Sequence, residues 1–138
     1  MAESKAHMDF VRRIVSYSGS NISMCDPALI QAELPEFYAR TPRVIGGYFP
    51  DVYHKSTNCI LIGEAKTDND IENPHTEAQL NCYIEEVRCY NVERHIVLCS
   101  SIFSYALLKN MILRKKRREA LDDITFHVLD VHAKSAVI

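Results

Sequence analysis

The run Pro50-Asp51-Val52-Tyr53-His54-Lys55-Ser56-Thr57-Asn58-Cys59-Ile60-Leu61-Ile62-Gly63-Glu64-Ala65-Lys66 holds two strand-like stretches separated by polar turn residues. Val52-Tyr53-His54 and Cys59 to Gly63 are the strands, and Lys55 to Asn58 is the turn between them. A hairpin folded there lays Asp51 beside the strand that carries Glu64 and Lys66. Side chains alternate along a strand, so Glu64 and Lys66 share one side while apolar Ala65 enters the opposite layer. Carboxylates brought together repel unless a cation lies between them, and hard oxygen donors of this kind select Mg²⁺ or Mn²⁺. A lysine beside such an ion can orient or help deprotonate a water while the ion stabilises charge on a phosphate oxygen. The grouping suits metal-assisted cleavage of a phosphodiester.

Downstream, Thr67-Asp68-Asn69-Asp70-Ile71-Glu72 reads as a polar loop, and Asn73-Pro74 combines an N-cap with a first helical residue. The helix that follows has an apolar face of Ala78, Leu80, Cys82, Tyr83, Ile84 and Val87, and Asn91 is its expected stop. Gln79 and Tyr83 stand four apart, one turn above the other, within reach of the hairpin acids.

Together these residues resemble the PD-(D/E)XK nuclease superfamily, with Pro50-Asp51 as its first signature and Glu64-Ala65-Lys66 as its second. Gln79-Leu80-Asn81-Cys82-Tyr83 is similar to the Gln-x-x-x-Tyr element of RecB-like and lambda-exonuclease-like members, and Gln79 alone is similar to VRR-NUC domains. The resemblance implies a restriction-endonuclease-like core, metal ligation by Asp51, Glu64 and the backbone carbonyl of Ala65, and Lys66 near the nucleophilic water. It further implies Gln79 beside the metal and Tyr83 helping to hold the site or the nucleic acid. DNA is the expected substrate. RNA-directed cleavage and a catalytically idle module that binds DNA or a protein are the alternatives, with the intact acids and lysine counting against the latter. Many family members add an acid from the first helix. Glu3, Asp9 and Glu33 are candidates here; Glu33 lies closest in sequence to the hairpin, and none is assigned.

With 138 residues, 47% of them hydrophobic and 25% charged, the chain suits one soluble domain over 1–138 with one real core. Met8 to Tyr17 reads as an amphipathic helix stopped by Ser18-Gly19-Ser20, and Asn21 to Cys25 as a short strand. Asp26-Pro27 opens a second helix that Pro35 breaks or kinks. Arg94 to Cys99 reads as a buried strand, Ile102 to Arg118 as a helix and Ile124 to Val131 as another strand. The expected class is α/β, a central mixed sheet flanked by helices.

Five cysteines, mostly in apolar runs and without a C-x-x-C pair or a signal sequence, point to free, buried thiols in a reducing compartment, cytoplasm or nucleus. Cys82, Cys89, Cys99 and His95 have the wrong spacing for common zinc sites. His54 and His75 flank the hairpin acids and read as partly exposed. Arg114-Lys115-Lys116-Arg117-Arg118 either grips phosphates or complements a helix C-terminus, and a net charge of −2 favours neither. No apolar run is long enough to span a membrane. Cutting both strands of a duplex takes two sites, for which a homodimer is a common solution.

Overall fold

The computed structural model describes residues 4–38 and 40–138. Its centre is the expected hairpin: β2 (Val52–Lys55) runs antiparallel to β3 (Cys59–Ala65), with Val52 opposite Gly63 and Lys55 opposite Ile60. Before the hairpin, β1 (Gln31–Ala32) pairs antiparallel with β2. After it, β4 (Glu93–Ser100) and β5 (Thr125–Asp130) add in parallel, and β6 (Ser135–Val137) closes the far edge antiparallel to β5. The result is a six-stranded mixed sheet in the order β1 to β6.

The parallel strands are connected by helices. Helix α2 (Pro74–Arg88) links β3 to β4 and α3 (Tyr105–Glu119) links β4 to β5. Leu80, Tyr83, Ile84 and Val87 of α2 and Leu108 and Ile112 of α3 pack on Ile60, Ile62, Ile96, Leu98 and Phe126. Helix α1 (Lys5–Asn21) covers the opposite face, where Phe10, Val11, Ile14 and Tyr17 meet Leu61, Ala65, Val97, Cys99 and Leu129. Every other residue of β3 therefore belongs to a different core, the pattern of a strand buried on both faces. At Gly63 the helix and β2 come so close that a Cβ would lie 2.7 Å from Ile14 Cγ2 and 2.9 Å from Val52 Cβ. Among the described residues no helix is long and apolar enough to cross a membrane.

The mixed α/β class is as expected, and several boundaries are not. Helix α1 continues through Ser18-Gly19-Ser20 because Tyr17 and Ser18 are buried, and packing of this kind outweighs weak helix propensity. No strand forms over residues 21–25; that edge of the sheet is taken by Gln31 and Ala32. Asp26-Pro27 starts only a single 3₁₀ turn, Pro27–Leu29, since Ile30 and Ala32 are drawn into the core in extended form. Pro35 begins a second such turn, Pro35–Phe37, instead of breaking a helix. Helix α2 keeps its Asn73 cap, whose side chain accepts from the Thr76 amide at 2.8 Å, but ends at Arg88, before Asn91. Its Ala78 is exposed, not part of the apolar face. Strand β6, short and largely exposed, carries no periodic signal.

Candidate active site

Parallel strands β3 and β4 bring their carboxyl ends to one edge of the sheet, the position at which open α/β sheets bind ligands. Glu64 and Ala65 end β3 there, and Lys66 follows with its amide donating to the Cys99 carbonyl at 2.8 Å. Asp51 is fixed from both sides. Its amide donates to the Gly63 carbonyl at 3.1 Å, and its own carbonyl accepts from the Glu33 amide at 2.9 Å. Its carboxylate accepts from the Ala65 amide at 2.8 Å through Oδ2 and lies 3.1 Å from His7 Nε2 through Oδ1.

Helix α2 supplies the rest. Tyr83 donates its hydroxyl to Glu64 Oε1 at 2.8 Å, and one turn earlier the Gln79 side-chain oxygen accepts from the Lys66 ammonium. Asp51, Glu64, Lys66, Gln79 and Tyr83 thus form one connected group, and Ala65 turns its methyl into the α1 core, as the strand alternation requires. None of the five is more than 6% exposed, so Gln79 is not the solvated amide of an open cleft.

Burial and the neighbouring Asp51 charge hold the Glu64 carboxyl well above the usual carboxylate range. Burial pushes Asp51 upward too, but hydrogen bonds from His7, Glu64 and the Ala65 amide outweigh it and leave Asp51 below its ordinary value. Two environments have pushed two like groups apart, Glu64 upward and Asp51 downward. Burial, followed by the Glu64 charge, also raises the Tyr83 hydroxyl, which stays a donor.

His7 is the member that the sequence reading misses. It lies three and four residues before Phe10 and Val11 and so continues the buried stripe of α1; that extension past Met8 is the signal. No acid of the first helix takes this place. Asp9 pairs at the surface with Lys5 at 3.6 Å and Arg12 at 3.8 Å, and Glu3 lies outside the described residues. Glu33 adjoins the site through its backbone.

The two flanking histidines are elsewhere. His54 is fully buried and accepts from the Asp26 amide at 3.0 Å, and His75 is exposed, edge-on to Tyr48. The basic run is mostly neutralised within the fold. Lys115, 1% exposed, donates to Glu77 (2.6 Å), Asn81 (2.8 Å) and Glu119 (2.8 Å), and Arg114 pairs with Glu72 at 2.9 Å. Lys116 bonds the carbonyls of Ile124 and Ile138. All five cysteines are free; Cys25, Cys59 and Cys99 are buried, whereas Cys89 is exposed.

Among the described residues, no group of three or more His, Cys, Asp or Glu side chains is arranged to hold a metal ion. What the site offers is a carboxyl pair and the adjoining backbone at Ala65. Mg²⁺, which retains several waters and is commonly held by one or two carboxylates plus substrate phosphate, suits so sparse an oxygen set. The chain matches no protein-family model, no curated protein and no solved structure.

Proposed function

We propose that this chain is a metal-dependent nuclease with a restriction-endonuclease-like core, hydrolysing phosphodiester bonds in DNA. The observation that carries the reading is the meeting of Asp51, Glu64 and Lys66 at the carboxyl edge of the sheet, braced by Gln79 and Tyr83. A structural ion pair has no need of two buried carboxyl groups side by side, and acids displaced in opposite directions at such an edge are characteristic of functional sites.

Asp51, Glu64 and the Ala65 carbonyl would hold Mg²⁺ or Mn²⁺. Bound there, the ion would supply Lewis-acid stabilisation of charge on the phosphate oxygens. The chain's own groups do the rest. Gln79 restrains the Lys66 ammonium so that it points at, and orients, the attacking water. Tyr83 fixes one Glu64 oxygen, and the Ala65 amide with His7 fixes Asp51, so the donor geometry is set before substrate arrives. In hydrolysis a water oxygen bonds to phosphorus, the ester P–O bond breaks, and the departing oxygen leaves as a hydroxyl.

The test uses purified protein with Mg²⁺ or Mn²⁺ and a panel of linear, nicked, branched and single-stranded DNA and RNA. Cleavage by the wild type that disappears in Asp51→Asn and in Glu64→Gln, with unfolding curves little changed, is the expected result. Activity retained in either variant rules out the mechanism, and cleavage of RNA alone moves the substrate.

A further inference from the structure

A groove of ≈ 350 Å³ opens beside the acid cluster. Its walls include Ala6, His7 and Phe10 of α1, Thr67 just after Lys66, and Ser101 and Phe103 in the loop between β4 and α3. His7 belongs to both the groove and the site, since its ring also meets the Asp51 carboxylate. Phe103 is 86% exposed. What sets this ring apart is its place, at the mouth of a groove whose walls include Ala6 and Phe10 and whose His7 reaches the Asp51 carboxylate. The loop that carries it is held in place: Ser101 and Ser104 both donate their hydroxyls to the Asp68 carboxylate across the groove.

The groove's chemistry selects its occupant. Its lining has one acid, Asp68, already held by Ser101 and Ser104, and no lysine or arginine to grip a phosphate, so it favours a neutral, flat, partly apolar group. Hydroxyls of Thr67 and Ser101 stand at its wall for edge contacts. Its volume lies near the lower end for small-molecule pockets, the size class of a nucleoside and not of a duplex. A stacked, paired duplex turns phosphates outward and hides its base faces, whereas single strands expose faces that aromatic side chains hold.

Resting on the nuclease reading above, we propose that the Phe103 groove receives one unstacked nucleobase of a single strand or frayed end, whose neighbouring phosphate lies at Asp51, Glu64 and Lys66. The substrate class is then single-stranded or end-opened nucleic acid, and Phe103 is a binding residue outside the chemistry.

The probe is a short single-stranded DNA with one 2-aminopurine, compared with the blunt duplex of the same sequence, in Ca²⁺ to limit cleavage. Wild type and Phe103→Tyr are expected to change the 2-aminopurine emission and to bind the single strand more tightly than the duplex. Phe103→Ala should lose the emission change and weaken single-strand binding by about tenfold, the effect of one lost stacking contact. Because the ring is exposed, unfolding curves of this variant should match the wild type. Equal single-strand affinity in Phe103→Ala overturns the inference, as does equal affinity for the duplex. So does a wild-type dimer that Phe103→Ala turns into a monomer in sedimentation, which would assign the ring to a second copy. Cleavage that depends on Glu64, with Phe103→Ala behaving as wild type, refutes the groove alone. Absence of both nucleic-acid binding and cleavage refutes the nuclease reading and the groove with it.

Discussion

At the scale of single residues, the upward displacement of the Glu64 carboxyl is open to direct measurement. Burial, followed by the Asp51 charge, favours a proton on Glu64, while hydrogen bonds to Asp51 outweigh its burial and lower it. A divalent cation competes with protons for these oxygens, so Mg²⁺ or Mn²⁺ binding should release protons, and affinity should rise with pH. Calorimetric titration in buffers of different ionisation enthalpy measures the release. Glu64→Gln should abolish it, and binding with no proton release in the wild type would refute a Glu64 carboxyl held above its ordinary value. Gln79 gives a second prediction. Gln79→Ala removes the acceptor from a 5%-exposed ammonium, so turnover should fall by about a hundredfold through misplacement of Lys66. Stability should fall too, by about 1–3 kcal/mol, because a buried donor loses its partner. A solvated Gln79 would leave stability unchanged, and thermal unfolding separates the two. The residue types at the site were legible because hairpin alternation fixes which of Glu64, Ala65 and Lys66 share a side. His7 was not, since a histidine one turn before an apolar stripe has no local mark of its partner.

Among the elements, legibility followed burial and chain distance. Strands β3, β4 and β5 have long apolar runs, and the Asn73-Pro74 cap announces α2 locally, so their order could be read. The segment from Ile22 to Phe49 could not, because its shape is set by what it covers. Ile30 and Ala32 are pulled flat into the α1 core, and the Gly46-Gly47 turn, with both φ values positive, fits against Cys82 of α2. Gly63 is the corresponding constraint on α1. Gly63→Ala places a methyl against Ile14 and Val52, and overpacking of this kind lowers stability by about 1–3 kcal/mol. If the Ile14 contact is the cause, Ile14→Ala added to Gly63→Ala should be less destabilising than the sum of the two single changes. Denaturant unfolding of the four proteins decides it, and strict additivity would refute the contact. The basic run on α3 shows the same dependence on partners. Five cations in a row invite a phosphate-binding reading, yet Lys115 joins α3 to α2 through Glu77 and Asn81.

Over the whole molecule, one sheet separates two chemically different cores, and the α1 side contains a chain of buried polar groups remote from the acid cluster. Tyr17 hydroxyl lies 2.8 Å from His127 Nδ1, His127 Nε2 lies 2.9 Å from His95 Nδ1, and His95 Nε2 lies 2.6 Å from Glu93 Oε1. The chain links α1, β5 and β4 and ends at the surface on Glu93. Burial, reinforced by the neighbouring His95, lowers His127 to about 4, and burial lowers His54 as well. In the unfolded chain a histidine takes its proton near 6.5. Between about pH 6.5 and about pH 4 His127 therefore binds more proton in the unfolded state than in the folded one, and its contribution to stability falls as pH drops through that window. Below it the His127 contribution is already lost. At most about 3 kcal/mol follows from His127, taking 1.36 kcal/mol per pKa unit. The carboxylates of Glu36 and Asp123, held to about 2 by hydrogen bonds from Arg12 and Arg88, act in a separate window, since their contribution is lost only as pH falls from the ordinary carboxylate range toward 2. Urea unfolding at neutral pH and near pH 4.5 thus carries a His127 loss in the wild type, set against the opposite contribution of Glu64, whose carboxyl is held above its ordinary value. In His127→Gln, which cannot take the proton, the loss over the same interval should be smaller, even if the variant is less stable throughout. Parallel pH profiles for the two proteins would mean that His127 is not held neutral by the fold, and acid sensitivity would have to come from the carboxyl groups alone.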